Sequence, residues 1–339
     1  MRSDGPEAGM ALASCVVARP VEDRVPRMYR ICGVTVRSNL PLPADTVSVD
    51  VPDIDVEYMS SSIPASAPRL SLKASVTSTP RGMTVEYMGP DGGISRYEIS
   101  QGGRRIDMKT SYEPVAGLWY VLLGLPLAVS LFLRGTAALH ASAVVVDHSA
   151  VVIAGPSGAG KSTTTAAMLA AGAAMLSDDL CALSNKDGRT CVDPGYPILR
   201  MSQDTGRLLG RSGGEMFRIF ENAVPDDKRW VDARDLPGGF HADAAPLSAL
   251  YLLTGRRHVG VQPMIEPIPP PRACVSLERH GYAWNRLDPS SCITLPWRAG
   301  LAANVPAFRL TLPDGLERLP AAAEAVMRHA ASLAAFGRS

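Results

Sequence analysis

Two clusters in this 339-residue chain carry groups that could act on a phosphate. The first is Gly155-Pro156-Ser157-Gly158-Ala159-Gly160-Lys161-Ser162-Thr163, which fits G-x-x-x-x-G-K-[ST]. Its glycines let successive backbone N–H groups curl around one centre, its lysine reaches the outer phosphates, and its serine hydroxyl can ligate Mg²⁺. The contacts expected for a nucleoside triphosphate are therefore Gly155, Ser157, Gly158, Ala159, Gly160, Lys161, Ser162 and Thr163. The second cluster is Asp178-Asp179, sixteen residues past Ser162. Two acids beside a phosphate loop can divide two tasks. One holds Mg²⁺, which prefers hard oxygens and usually takes one or two protein carboxylates; the other accepts the proton of an attacking hydroxyl.

Such chemistry needs the loop to leave a strand and enter a helix, whose N-terminus adds its dipole to the anion site. Residues 150–154 are apolar and β-branched and residues 164–171 are helix-like, so both elements are in place. Upstream, residues 139–147 form another β-branched run, joined to the first by Asp147-His148-Ser149, which predicts a hairpin feeding the loop. His140 then lies at the end of the hairpin from which Gly155 emerges. Residues 174–180 predict the next strand, with both carboxylates at its exposed C-terminal tip.

The order Leu139-His140, Val146-Asp147, the loop through Ser162, and Leu176-Ser177-Asp178-Asp179 resembles the catalytic core of the HPr kinase/phosphorylase family of bacterial serine kinases. The resemblance implies an α/β P-loop kinase core of the HPr kinase/phosphoenolpyruvate carboxykinase type, with a mixed sheet and with ATP and Mg²⁺ as ligands. It also implies roles. Lys161 and Ser162 would bind phosphate and Mg²⁺, Asp178 would handle the serine-hydroxyl proton, Asp179 would join Ser162 on the metal, and His140 would orient Asp178. The additional metal-ligand pattern of the phosphoenolpyruvate carboxykinases is not found. The glycine-rich signature that HPr-directed members carry after the acid pair is not found either, and Asp193-Pro194-Gly195-Tyr196-Pro197-Ile198-Leu199-Arg200-Met201 stands in its place. That segment, with Tyr29-Arg30-Ile31-Cys32-Gly33-Val34-Thr35-Val36-Arg37-Ser38-Asn39-Leu40-Pro41-Leu42-Pro43, is similar to the HPr-kinase-like group of lasso-peptide biosynthesis. Members of that group phosphorylate the C-terminal serine of a precursor peptide. The implied function is an ATP- and Mg²⁺-dependent serine kinase with a peptide substrate. A kinase of an HPr-like protein or a small molecule, and a non-catalytic nucleotide-dependent peptide-binding protein, stay open as alternatives. HPr kinases form hexamers, so a homo-oligomer is an open option.

The rest of the chain sets the frame. A composition of 46% hydrophobic and 20% charged residues is that of a soluble globular protein. A net charge of +1 gives no electrostatic reason to expect nucleic acid. The six cysteines include no C-x-x-C pair, which predicts reduced thiols in a cytoplasmic protein without a structural metal. Leu12-Ala13-Ser14-Cys15 has the look of a lipoprotein cleavage box, but Asp4, Pro6 and Glu7 interrupt what would be its apolar segment. Three regions are expected: an unstructured leader at 1–27, a β-rich N-terminal domain at 28–113 and the catalytic domain at 114–339. Residues 115–133 contain no charge and are long enough to span a bilayer. Gly117, Gly124 and Pro126 interrupt them, so a buried helix beneath the catalytic sheet is expected, with no stable membrane insertion.

Farther on, residues 208–215 predict a mobile loop. In Asp226-Asp227-Lys228-Arg229-Trp230, the pair Lys228 and Arg229 could reach a phosphate or a peptide carboxylate. Prolines 263, 267 and 269–271 predict a stiff extended connector. A helix over 273–286, a strand over 305–312 and an alanine-rich helix over 319–335 complete the expected core.

Overall fold

Residues 94–100 alternate exposed and buried side chains, as a strand covered on one face must. The computed structural model describes residues 25–60, 73–88, 93–110, 118–208, 228–258, 260 and 262–336. The chain divides into two units, Met1–Thr136 with Phe217–Asp227, and Ala137–Met216 with Lys228–Ser339. Most of the leader, residues 1–24, and most of the loop at 208–215 lie outside the described residues.

The first unit holds β1 (Arg27–Ile31), β2 (Val34–Ser38), β3 (Ile54–Ser60), β4 (Lys73–Thr79), β5 (Gly82–Met88), β6 (Ile94–Ser100) and β7 (Arg105–Thr110). They form one sheet in the order β1-β2-β3-β7-β6-β5-β4, antiparallel from β4 to β7 and parallel where β3 meets β2 and β7. The charge-free stretch becomes two helices, α1 (Leu118–Leu122) and α2 (Leu125–Leu133), with Pro126 in the first turn of the second. Helix α2 packs on β5, β6 and β7, where Ser130 donates to the Gly103 carbonyl and Arg134 pairs with Asp53 at 2.7 Å. Pieces of five and nine residues are too short for a bilayer. Among the described residues no helix is long and apolar enough to cross a membrane. These helices were expected beneath the catalytic sheet, with a boundary near 114, but they belong to the first unit, which runs to Thr136. Apolar composition requires burial without naming the sheet that provides it.

The second unit opens with β8 (Ala137–Val146), β9 (Ser149–Ala154), α3 (Lys161–Ala170), β10 (Ala174–Ser177), β11 (Leu180–Lys186), β12 (Arg189–Val192), β13 (Ile198–Ser202) and α4 (Gln203–Leu208). It continues with β14 (Lys228–Asp232), β15 (Ala245–His258), β16 (Met264–Ile268), α5 (Pro270–Leu277), α6 (Trp284–Leu287), α7 (Thr294–Asn304), β17 (Ala307–Pro313) and α8 (Leu319–Phe336). The main sheet runs β10-β8-β11-β12-β15-β17-β16, with β9 pairing both β8 and β15. It is mixed, since β15 is parallel to β9 and β17 while the other pairs are antiparallel. Alternation along β9 covers both faces. Val151 and Ile153 pack with Met168 and Leu169 of α3 and with Ala322 and Val326 of α8. Ala150, Val152 and Ala154 pack with Leu277 of α5, Trp284 of α6 and Leu301 of α7. Strands β13 and β14 form a separate ribbon.

Two expectations change. The proline-rich connector contains an edge strand, β16, whose Pro267 lies opposite Phe308 of β17. An edge tolerates proline because no N–H is needed toward solvent. The helix expected over 273–286 ends at Leu277, and after a 3₁₀ turn Gly281 bridges Leu139 of β8. Cys32, Cys181, Cys191, Cys274 and Cys292 are free thiols, and Cys15 lies outside the described residues.

The rim beside β10 gives a direct test of packing. The Met175 N–H donates to Gly239 O and the His241 N–H donates to Met175 O, so the segment after Gly238 extends the sheet. A Cβ on Gly238 would lie 1.6 Å from the Ala173 carbonyl oxygen, a backbone atom that cannot step aside. Gly238→Ala is expected to destabilise the protein by about 1–3 kcal/mol, read as a lower urea midpoint.

Candidate active site

The register of three strands brings the two sequence clusters together. In the β8–β9 hairpin Ala141 lies opposite Ala154, the last residue before the loop. Along β8, Ser177 of β10 faces Ala143 and Leu180 of β11 faces His140. Asp178-Asp179 therefore interrupts what would be one continuous strand, beside Ala141 and Ser142. The Leu180 N–H closes this break on the Asp178 carbonyl at 2.9 Å, and Asp179 turns left-handed with φ 70°. Aspartate is among the few residue types that visit that region readily. The carboxylates do follow the end of β10, but the exposure expected there holds for only one of them: Asp178 is 6% exposed and the Asp179 side chain 32%.

The loop has the geometry its glycines predict. Gly158 and Gly160 adopt φ 78° and 100°, a region where an L side chain is strained. Gly160 begins α3 with no side-chain cap, so the first turn of the helix is left for an anion. Lys161 is buried, and its Nζ donates to Gly155 O at 2.9 Å and to Pro156 O at 3.4 Å. Thr163 is met by the Thr205 hydroxyl at 3.4 Å.

The acid pair is split between two partners, and the pairing is crossed relative to expectation. The Ser162 hydroxyl lies 3.2 and 3.3 Å from the two oxygens of Asp178, where a contact with Asp179 through metal was expected. Asp178 also accepts from Ser142 at 2.6 Å and from the Arg200 N–H at 3.2 Å. His140 Nε2 bonds Asp179, not Asp178, at 3.1 Å, and the Tyr282 hydroxyl donates to the other Asp179 oxygen at 3.2 Å. The left-handed turn at Asp179, between the end of β10 at Ser177 and the start of β11 at Leu180, sends the two side chains to different partners. The electrostatics follow. Burial pushes the Asp178 carboxyl up and the Asp179 charge adds to this, against the pull of the Ser142 hydrogen bond. Burial would also raise Asp179, but the hydrogen bond and charge of His140, with Tyr282 and Arg200, hold it below the ordinary value.

Ser142 could have been found in the sequence, because His140 and Ser142 are two apart on a strand and share a face. Tyr282, Arg200 and His280 carry no local signal. The Arg200 guanidinium stacks on Trp230 at 5.6 Å from the ring centroid. Arg229 is buried, and its guanidinium meets the Gln203 amide at 3.3 Å when the amide oxygen faces it. Lys228 begins β14, and its side chain lies outside the described residues.

His280 is pushed down to about 4 by burial and by the positive charges of Lys161, His140 and Arg279. It stays neutral where an unfolded histidine, titrating near 6.5, is already protonated. Its contribution is present above pH 6.5 and is lost as pH falls toward 4. His280→Gln is expected to flatten the fall in melting temperature between pH 6.5 and 4, measured without nucleotide.

Whether these residues fit Mg²⁺ can be judged from the donors. Ser162 and a buried Asp178 with a raised pKa offer hard oxygens and a negative charge that a divalent cation would offset. Among the described residues no group of three or more His, Cys, Asp or Glu is placed to hold a metal unaided.

No family model matches the chain, and no curated protein matches it. Among solved structures, the Hpr(Ser) kinase/phosphatase from Coxiella burnetii is similar, with 13% identity and a TM-score of 0.32 over 59% of this chain and 94% of that one. A likeness of that depth assigns neither fold nor activity.

Proposed function

We propose that the second unit is an ATP- and Mg²⁺-dependent phosphotransferase that moves the γ-phosphoryl group to a hydroxyl. The reading is supported above all by the strand break that presents Asp178 to the loop serine and Asp179 to His140. Mg²⁺, when bound, would neutralise phosphate charge. Ser162 and Asp178 would hold it. Lys161, released from the Gly155 and Pro156 carbonyls, and the first turn of α3 would bind the phosphates. Asp179 would accept the proton of the attacking hydroxyl as its oxygen bonds phosphorus and the bond to the ADP oxygen breaks. Proton transfer of this kind is late in phosphoryl transfer, so placement counts for more than a raised pKa. These are the metal and proton roles of the sequence expectation, with the two acids exchanged.

The acceptor we propose is the serine hydroxyl of a peptide, with the C-terminal serine of a lasso precursor as the specific candidate. It rests on the resemblance of residues 29–43 and 193–201 described above. The test is the intact mass of such a peptide after incubation with the protein and Mg-ATP, beside a folded HPr-like protein and small-molecule alcohols. One added phosphate on the peptide alone supports the assignment. Phosphate on another acceptor keeps the chemistry and removes the peptide. ATP binding with no acceptor modified removes the phosphotransferase and favours a nucleotide-dependent binding protein.

A further inference from the structure

We propose that Tyr282 is a positioning residue of this site, holding the Asp179 carboxylate against His140 so that it faces an incoming hydroxyl. The inference rests on the phosphotransferase reading and deepens it. Each oxygen of Asp179 has its own donor, His140 Nε2 at 3.1 Å on one and the Tyr282 hydroxyl at 3.2 Å on the other. Both donors are fixed to the same strand. His140 is part of β8, while Gly281 bridges Leu139 and the Tyr282 N–H donates to Ala138 O at 2.9 Å. The turn carrying Tyr282 is anchored on its other side, because Gly281 lies so close to the buried Trp284 ring that a Cβ there would sit 1.9 Å from it. The phenol is therefore placed by backbone pairing. Its ring stands 5.6 Å from the His140 ring at 46°.

A carboxylate in a left-handed turn, gripped at both oxygens, has little freedom to rotate away. Phenylalanine would fill the same space without the hydroxyl, so Tyr282→Phe separates packing from positioning. Transfer to the serine peptide is measured for the parent, Tyr282→Phe, Asp179→Ala and the double variant, and the same four proteins are unfolded in urea. Tyr282→Phe is expected to lower kcat roughly tenfold, about the worth of one hydrogen bond to a charged group, with KM for ATP unchanged. In the Asp179→Ala background it is expected to change neither kcat nor the urea midpoint further. Equal effects of Tyr282→Phe in both backgrounds, in rate and in unfolding, overturn the inference. A parent that transfers no phosphate overturns the phosphotransferase reading instead, and the unfolding cycle still decides whether the tyrosine acts through Asp179.

Discussion

Asp179→Asn is expected to lower kcat for phosphoryl transfer by about 10²–10⁴-fold, the range for loss of a positioned general base, with Mg-ATP affinity nearly unchanged. Asparagine tolerates the left-handed backbone at φ 70° and can still accept from Tyr282, so the strand break should survive. What it loses is the negative charge that takes the proton. Asp178→Asn should behave differently. Its carboxylate lies on the Ser162 hydroxyl, and its loss should appear first as weaker Mg²⁺-dependent ATP binding. Calorimetric titration with Mg-ATP and single-turnover transfer separate the two. Weaker Mg-ATP binding in Asp179→Asn, together with lost transfer at full affinity in Asp178→Asn, would return the roles to the order that the sequence resemblance implies. Parental rates in both variants would remove the pair from the chemistry.

Lys161→Met is expected to cost about 10²–10³ in kcat, as loss of one preorganised charge at a developing anion does. Methionine keeps much of the buried stem volume, so melting temperature should change little. Of the two carbonyls that accept from Nζ, that of the exposed Pro156 also accepts from the Ala159 N–H at 3.1 Å. Lys161→Arg should rescue little, because a planar fork does not replace a compact ammonium inside a loop of this curvature. Steady-state transfer, with nucleotide affinity measured separately, checks both variants. A Lys161→Met protein with parental kcat would mean that the loop binds nucleotide without assisting transfer.

Much of the site was legible because its parts are local. The loop, the hairpin before it, the helix after it and the acid pair occupy residues 139–179, where strand alternation, glycine spacing and residue chemistry act over a few positions. The β-rich first unit and the long C-terminal helix were legible for the same reason. Which acid met which partner was not. That depends on the register of β8 against β10 and β11, and on a break that turns Asp178 inward and Asp179 toward His140.

The destination of the charge-free helices was also undecided by sequence, since burial can be met by either sheet, and only packing on β5, β6 and β7 chose. The prolines at 263 and 267 spoke for extended backbone, and only the position of β16 at the sheet edge made the second of them part of a strand. Tyr282 lies more than a hundred residues from Asp179, and no local pattern links them. By itself, then, the sequence determined a glycine-rich loop between a strand and a helix, and two acids close behind it. Tertiary structure decided the partners of those acids, because register and long-range strand bridging set side-chain direction, and residue spacing along the chain does not.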